Sequence, residues 1–191
     1  TKQWFKRSWN YEYQYHFRWL GLPIIQFPQD IMLIQELIWK VKPDLIIETG
    51  IARGGSIILS SSILELIGKG EVVGIDVDIR KHNKKQIEKH PLFKRITMIE
   101  GSSVNKKIIK RVYEIAKNKS KILVMLDSNH THRHVLNEMK AYTPLIKKGS
   151  YIVVMDTMIE DLPKNFFRNR PTNPGNNPRT AVEEFLKSNK K

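Results

Sequence analysis

Two aspartates stand where a metal ion could be bound. Asp127 and Asp156 each directly follow a short apolar run, Ile122–Leu126 and Tyr151–Met155. Continuous apolar runs of this kind are typical of parallel strands that are buried on both faces. One helical crossover separates the two aspartates, so we expect both carboxylates at adjacent strand ends. Such a pair can bind a hard cation such as Mg²⁺ through oxygen ligands, and the sequence therefore predicts a magnesium site.

Three histidines, His130, His132 and His134, closely follow Asp127. A zinc site is disfavoured, because the chain has no cysteine and the histidines lack the H-E-x-x-H spacing. His130 is nearest the strand end and is a candidate general base or substrate contact. We expect His132 and His134 to lie on the solvated surface of the helix that follows.

A glycine-bearing turn lies between the apolar run Leu45–Ile47 and a helix that starts at Ser56. Glycines let the backbone turn sharply and approach a ligand, and a helix start offers free amide donors. The G-x-x-x-G-G spacing of residues 50–55 differs from the G-x-G-x-x-G dinucleotide fingerprint, which disfavours a nicotinamide-dependent dehydrogenase. Asp76 follows the next apolar run and can accept hydrogen bonds from ribose hydroxyls. Together these features predict a site for a nucleoside-bearing cofactor.

These residues require a scaffold, which the alternation of apolar runs and helical stretches supplies. Helices of roughly 10–15 residues between the runs indicate right-handed crossovers. The pattern therefore predicts an α/β fold with a doubly wound, mostly parallel sheet, whose ligands bind beyond the carboxyl ends of the strands. The predicted strands are Leu45–Ile47, Val72–Ile75, Ile96–Ile99, Ile122–Leu126 and Tyr151–Met155.

Residues 1–43 are predicted to form an N-terminal aromatic segment followed by a helix. Eight aromatic residues occur between Trp4 and Trp19, and Tyr11, Tyr13 and Tyr15 alternate with polar residues in a way that suits a strand. The helix is predicted over Ile31–Val41, with Asp30 as its cap.

Residues 44–191 are predicted to form the α/β domain proper. Within it, residues 165–179 are rich in Asn, Pro and Arg and read as a lid-like loop, because long loops in compact domains are usually functional or disordered. A last helix is predicted over Thr180–Ser188. No sixth or seventh strand is predicted after Tyr151–Met155.

The composition limits the classes of protein. The chain has 191 residues, no cysteine and a net charge of +14. Absence of cysteine excludes disulfide scaffolds, thiolate zinc sites and cysteine nucleophiles, and favours a reducing, cytoplasmic setting. No apolar run approaches the roughly 20 residues of a membrane span. The charge could attract nucleic acid, but the lysines are scattered along the chain without a defined stripe, so we favour a compositional origin.

Several motifs resemble the cephalosporin hydroxylase family, and the resemblance covers nearly the whole chain from about Trp19 onward. The family is identified with class I S-adenosylmethionine-dependent methyltransferases and includes cephalosporin-modifying and rhamnosyl O-methylating enzymes. The matching segments are Trp19–Gly21, Gln26–Asp30, Gln35–Glu36, Lys42–Gly50, Gly54–Ser56, Gly74–Asp76, Leu126–His130 and Gly149–Thr157.

The resemblance implies a role for each matching site residue. Asp76 would bind the ribose, Gly101 and Ser102 would approach the adenine, and Asp127 would contact both cofactor and metal. Asp127 and Asp156 resemble the Mg²⁺ ligands of catechol O-methyltransferases. The residues expected around the methionine portion of the cofactor, with Arg53 of the same turn included, are Glu48, Gly50, Arg53, Gly54, Gly55 and Ser56.

The implied activity is a Mg²⁺-assisted transfer of a methyl group from S-adenosylmethionine to a hydroxyl of a sugar or small secondary metabolite. Two departures from the family keep alternatives open. Met155 stands where the cephalosporin enzyme has a glutamate, and the terminal antiparallel strand pair of class I methyltransferases is missing from the pattern. The alternatives are a nucleic-acid-binding or RNA-modifying methyltransferase and a non-catalytic scaffold of the same fold. An uncovered sheet edge would be compatible with a homo-oligomer.

Overall fold

The apolar runs of the sequence form a central sheet of five strands, all parallel. The computed structural model describes residues 2–189. In chain order the strands are β1 (Arg18–Trp19), β2 (Leu22–Pro23), β3 (Leu45–Thr49), β4 (Glu71–Asp76), β5 (Ile96–Glu100), β6 (Ile122–Leu126) and β7 (Tyr151–Val154). The helices are α1 (Lys2–Asn10), α2 (Pro28–Val41), α3 (Gly55–Ile67), α4 (Lys81–Glu88), α5 (Lys106–Ala116), α6 (His132–Tyr142) and α7 (Pro178–Ser188).

The strand order in the sheet is β5-β4-β3-β6-β7, while β1 and β2 form a separate antiparallel pair. The chain therefore starts in the middle of the sheet, winds to one edge, and then crosses to the other side of β3. This arrangement confirms the predicted doubly wound α/β fold. The winding direction reverses between β3 and β6, which is the place where ligands bind in open α/β sheets.

Alternate residues of the central strands point to two apolar layers. Ile46 packs in one layer with Ile58 of α3, and Ile47 packs in the other with Val112 of α5. All five residues of β3 are buried, as expected for a strand covered by helices on both faces. Burial of apolar side chains in both layers holds the strand ends in fixed positions.

Asp44, just before β3, joins two strands at the amino end of the sheet. Its carboxylate accepts hydrogen bonds from the Ser120 hydroxyl at 2.6 Å and the Lys121 amide at 3.0 Å, both at the entry to β6. Lys69 Nζ donates to the same carboxylate at 2.7 Å. Hydrogen bonds from Lys69 and Ser120 hold the pKa of Asp44 well below its usual range.

The N-terminal segment does not form the strand that the tyrosine alternation suggested. It consists of α1 and a single 3₁₀ turn, Tyr13–Tyr15, and the residue that this turn buries is the polar Gln14. Tyr13 instead joins an aromatic cluster, in which its ring lies 4.9 Å from that of Phe17, edge to face. Ring contacts of this kind override the local alternation of polar and aromatic residues.

The predicted cap of α2 was also wrong. The helix begins at Pro28, with Phe27 in the cap position, because proline is favoured in the first helical turn. Asp30 therefore lies inside the first turn, and its side chain is free for another role.

The predicted 165–179 loop is two residues shorter in the structure, since α7 begins at Pro178. Asn177 caps α7 and accepts hydrogen bonds from the Arg179 and Thr180 amides, which explains the early start. Thr172 is buried and donates to the carbonyl oxygen of His130 at 2.9 Å. Across residues 2–189 no strand follows β7 in the sheet, as predicted. None of the described helices combines the length and the apolar character needed to cross a membrane.

Candidate functional site

A cavity of about 420 Å³ opens beyond the carboxyl ends of β3, β4, β6 and β7. Asp76, Asp127 and Asp156 line it from the sheet, and His130 lines it from the loop after β6. The opposite wall comes from the N-terminal segment, α2 and the loop before α7. The site therefore combines residues at the carboxyl ends of the strands with residues from the first and last parts of the described chain.

Asp127, His130 and Asp156 form a compact cluster in this cavity. Each offers one potential metal-ligating atom, and these atoms all lie within 4.8 Å of one another. His130 Nδ1 lies 3.3 Å from Asp156 Oδ2. The two aspartates are thus brought together at adjacent strand ends. Asp156 adopts a left-handed backbone conformation there, with φ of 56°.

Burial, followed by repulsion between carboxylates, determines the electrostatics of the cluster. Burial raises the pKa of Asp127 well above its usual value, and the charges of Asp156, Glu48 and Asp30 raise it further. A hydrogen bond from the buried Gln26 side chain partly opposes this increase. Such a group of converging carboxylates favours a bound cation or proton.

Asp30, in the first turn of α2, is a site residue that sequence reasoning missed. Burial raises its pKa, and the nearby charge of Asp156 raises it further. The sequence signal was present, because Gln26–Asp30 is one of the segments that resemble the family. The local spacing around Asp30 indicates only a helix start, because it does not reveal how α2 docks on the sheet.

Glu48 is the buried acidic residue of β3, with 1% of its surface exposed. The Ser56 hydroxyl donates a hydrogen bond to its Oε1 atom, whereas Oε2 has no partner among residues 2–189. Burial raises the pKa of Glu48 to about 8, despite the opposing hydrogen bond from Ser56. This orphan oxygen is the kind of buried acceptor that a bound cationic group would satisfy.

The three glycines of the turn are required by packing within the chain itself. A Cβ atom on Gly50 would overlap the carbonyl oxygen of Asp127, and one on Gly55 would overlap the carbonyl oxygen of Pro23. A Cβ on Gly54 would lie 2.6 Å from Ile87 Cγ1. A small space of about 40 Å³ lies beside the turn; Arg53 lines it together with these glycines and Ser56.

Asp76 holds the same turn from β4. Its Oδ2 atom accepts hydrogen bonds from the amides of Ile51 at 2.8 Å and Ala52 at 3.0 Å. The residue also lines a second cavity of about 400 Å³, together with Ser102 and His134. Asp76 therefore stands between two cavities, as a ribose-binding carboxylate between a nucleobase and a reactive group would.

His132 and His134 are partly exposed, as the prediction of a solvated helix surface requires, but both side chains also have partners within the chain. His132 contacts Thr180 at 2.8 Å and Glu184 at 2.9 Å on α7. His134 Nε2 lies 3.1 Å from the Ser103 hydroxyl, beside the second cavity. These partners come from remote parts of the chain, so helical spacing around the histidines could not reveal them.

The chain is similar to proteins that are named as rhamnosyl O-methyltransferases. The model of the rhamnosyl O-methyltransferase/CmcI family matches residues 11–191. A rhamnosyl O-methyltransferase of Mycobacterium leprae is 31% identical over 147 residues, which cover 76% of this chain and 62% of that protein. The homologue of Mycobacterium tuberculosis strain H37Rv is 31% identical over 148 residues, 58% of its length. The chain thus spans about three fifths of these relatives.

Solved structures give the same fold. The apo-structure of CmcI has 21% sequence identity and a TM-score of 0.61, over 91% of this chain and 66% of that one. MycE, a methyltransferase of mycinamycin biosynthesis, has 16% identity and a TM-score of 0.58, over 96% and 47% of the two chains. These matches confirm both the resemblance to the cephalosporin hydroxylase family and the class I methyltransferase fold. The chain belongs to the rhamnosyl O-methyltransferase/CmcI family.

Proposed function

We propose that the protein is an S-adenosylmethionine-dependent O-methyltransferase that acts, with Mg²⁺, on a hydroxyl of a sugar or small secondary metabolite. The observation that carries this proposal is the Asp127–His130–Asp156 cluster, which shares one cavity with Asp76. Family membership supports the reaction class, and the names of the mycobacterial relatives support a sugar acceptor. Absence of cysteine also leads us to propose a cytoplasmic location.

The two adjacent cavities support binding of the cofactor. In this proposal Asp76 binds the ribose and Ser102 lies near the adenine, on the side of the second cavity. The buried Glu48, with its unpartnered oxygen, receives the ammonium of the methionine portion. CmcI and MycE structures contain S-adenosylhomocysteine, the demethylated form of this cofactor. The other proposed contacts are Gly50, Arg53, Gly54, Gly55, Ser56 and Asp127.

The same cluster has the donor set that suits Mg²⁺. Asp127 and Asp156 provide the carboxylate oxygens that this ion prefers, and a cation would relieve the repulsion between them. Bound Mg²⁺ would act as a Lewis acid that lowers the pKa of the acceptor hydroxyl. Structures of CmcI and MycE contain Mg. Met155 cannot supply a third carboxylate, whereas Asp30 lines the cavity beside Asp156 and adds negative charge there.

His130 is proposed as the general base. Because Mg²⁺ prefers oxygen ligands, the imidazole is left available for proton transfer. The contact between Nδ1 and Asp156 orients the ring and leaves Nε2 to accept a proton. The acceptor oxygen forms a bond to the methyl carbon while the carbon–sulfur bond breaks, and His130 takes the hydroxyl proton. Positioning of the acceptor in the cavity supplies much of the rate acceleration.

The segment of residues 165–177 is proposed to cover the acceptor. Arg170 and Thr172 line the cavity, and Thr172 ties this segment to the backbone of His130. Covering the acceptor would exclude water from the reacting atoms.

The proposal is tested by incubating the protein with S-adenosylmethionine, Mg²⁺ and methyl α-L-rhamnopyranoside, and detecting the methylated sugar by mass spectrometry. We expect product formation that is abolished by EDTA and restored by added Mg²⁺. Calorimetry with S-adenosylhomocysteine separates the alternatives, since a protein that does not bind it is a non-catalytic scaffold. A steep salt-dependent affinity for RNA, with no sugar product, would favour the nucleic-acid alternative.

A further inference from the structure

One wall of the 420 Å³ cavity carries buried polar groups without partners. Gln14 lines the cavity and is 2% exposed, yet neither its Oε1 nor its Nε2 atom has a hydrogen-bond partner within residues 2–189. The indole Nε1 of Trp9, on the same wall, is also buried without a partner. Both residues belong to the N-terminal segment, which forms the wall of the cavity opposite the strand ends.

An unpaired buried carboxamide needs an explanation. Buried polar side chains are nearly always hydrogen-bonded, because the loss of hydration is otherwise uncompensated. Leucine has a similar volume and would fill the position of Gln14 without this penalty. Retention of the amide beside a cavity therefore indicates that its partner is a molecule that enters the cavity.

The neighbours of Gln14 indicate the chemistry of that molecule. The guanidinium of Arg170 lines the same wall, with Nη2 3.4 Å from the Tyr15 hydroxyl. It also lies over the Phe167 ring, 5.4 Å from the ring centroid, and that ring packs 5.0 Å from Trp9. The wall thus carries an amide, an indole N–H and a guanidinium, of which the last two are packed against the Phe167 ring. These groups supply many donors and one amide acceptor, which suits a ring that carries several hydroxyls.

We propose that Gln14, Trp9 and Arg170 bind ring hydroxyls of a sugar acceptor other than the hydroxyl that is methylated. This inference rests on the proposed function, and it assigns acceptor recognition to the N-terminal segment and the loop before α7. The strand ends hold the reacting hydroxyl, while the opposite wall selects the sugar and fixes its orientation.

The test compares Gln14→Leu with Gln86→Leu, a control at an exposed position on α4. With methyl α-L-rhamnopyranoside, we expect Gln14→Leu to raise KM about 3- to 10-fold, the loss typical of one hydrogen bond. The kcat value and the affinity for S-adenosylhomocysteine should stay within about twofold of wild type. Monodeoxy rhamnosides identify the hydroxyl, because the analogue that lacks it should bind wild type and Gln14→Leu equally.

Thermal unfolding separates recognition from a structural role. Removal of an unpaired amide should leave Tm unchanged or raise it by about 2–4 °C. A lower Tm together with an unchanged KM would mean that Gln14 supports the fold or binds only an internal water, and would overturn the inference. Arg170→Met changes an exposed residue, so folding should be unaffected, and it should also raise KM.

Direct binding distinguishes failure of this inference from failure of the proposed function. Calorimetry of the rhamnoside with wild type, Gln14→Leu and Gln86→Leu requires no turnover. Weaker binding by Gln14→Leu alone supports the inference even where no methyl transfer occurs. Equal binding by all three proteins, or no sugar binding by wild type, overturns it, whereas methyl transfer by wild type would still support the proposed function.

Discussion

The imidazole of His130 and the carboxylate of Asp156 meet across the ends of β6 and β7, with Nδ1 and Oδ2 3.3 Å apart. His130 lies in the loop after β6, and Asp156 is the second residue after the end of β7. The parallel register of the two strands, in which Leu126 pairs with Val154, brings them into contact. One carboxylate can therefore orient the proposed base and face the proposed metal.

Replacement of the base tests its role. We expect His130→Gln to lower kcat by about 10²- to 10⁴-fold, because general-base catalysis contributes that much. The affinity for S-adenosylhomocysteine should not change, since His130 is not among the proposed cofactor contacts. Steady-state kinetics and calorimetry measure the two quantities. His82→Gln, on the exposed surface of α4, is the matched control; equal kcat for both variants would rule out the proposed role.

Removal of one metal-binding carboxylate should change the response to Mg²⁺. Wild type should show a higher Tm in saturating Mg²⁺ than in EDTA, because a ligand at 100 times its Kd stabilises by about 2.7 kcal/mol. Asp127→Asn should lose this shift and, in EDTA, should unfold at a higher temperature than wild type, since the buried repulsion is reduced. Asp78→Asn, at an exposed position, should behave as wild type. A full Mg²⁺ shift in Asp127→Asn contradicts the assignment.

Glu48 should make stability depend on pH. Its pKa is raised from 4.5 to about 8 on folding. The folded protein therefore keeps a proton that the unfolded chain releases, so the free energy of unfolding falls as pH rises from about 4.5 to about 8. A single such group contributes at most about 1.4 kcal/mol per pH unit. Glu48→Gln should flatten this fall in urea unfolding between pH 5 and 8, whereas the exposed control Glu88→Gln should not. Parallel curves for wild type and Glu48→Gln would disprove it.

Alanine variants of two glycines with similar backbone angles distinguish the cost of backbone strain from the cost of steric overlap. Gly50 has φ of 94° and Gly149 has φ of 85°, but only at Gly50 would a Cβ meet neighbouring atoms. Gly149→Ala should cost about 1–2 kcal/mol of unfolding free energy from the left-handed backbone alone. Gly50→Ala should cost about 1–3 kcal/mol more, because its Cβ overlaps Asp127. Chemical denaturation measures both values, and equal losses would argue against the overlap.

Much of the fold follows from local patterns in the sequence. The apolar run Ile122–Leu126 is the whole of β6, a strand that is buried on both faces and contains no polar residue. Other strands extend past their apolar runs to a polar residue, such as Thr49 of β3 and Asp76 of β4. Asp76 lines the cavity, and the Thr49 hydroxyl accepts a hydrogen bond from the Asp127 amide, so binary patterning underestimates these two strands at the ends nearest the site.

The missed parts of the site depend on docking between remote segments. Asp30 looked like a helix cap, and Gln14 looked like the polar partner of alternating tyrosines. Asp30 reaches the cavity because α2 docks on the sheet, and Gln14 reaches it because the N-terminal segment folds back over the strand ends; no local spacing encodes either contact. The contact of His134 with Ser103 was missed for the same reason, since Ser103 follows a different strand.

The position of Asp44 has a consequence for how the acceptor specificity of this protein could evolve. Its bonds to Ser120, Lys121 and Lys69 lock the sheet at the end opposite the chemistry. The residues that hold the strands together and the residues proposed to select the acceptor consequently lie at opposite ends of the sheet. New acceptors could be accommodated by altering the outer wall around Gln14, without loosening the framework that Asp44 secures.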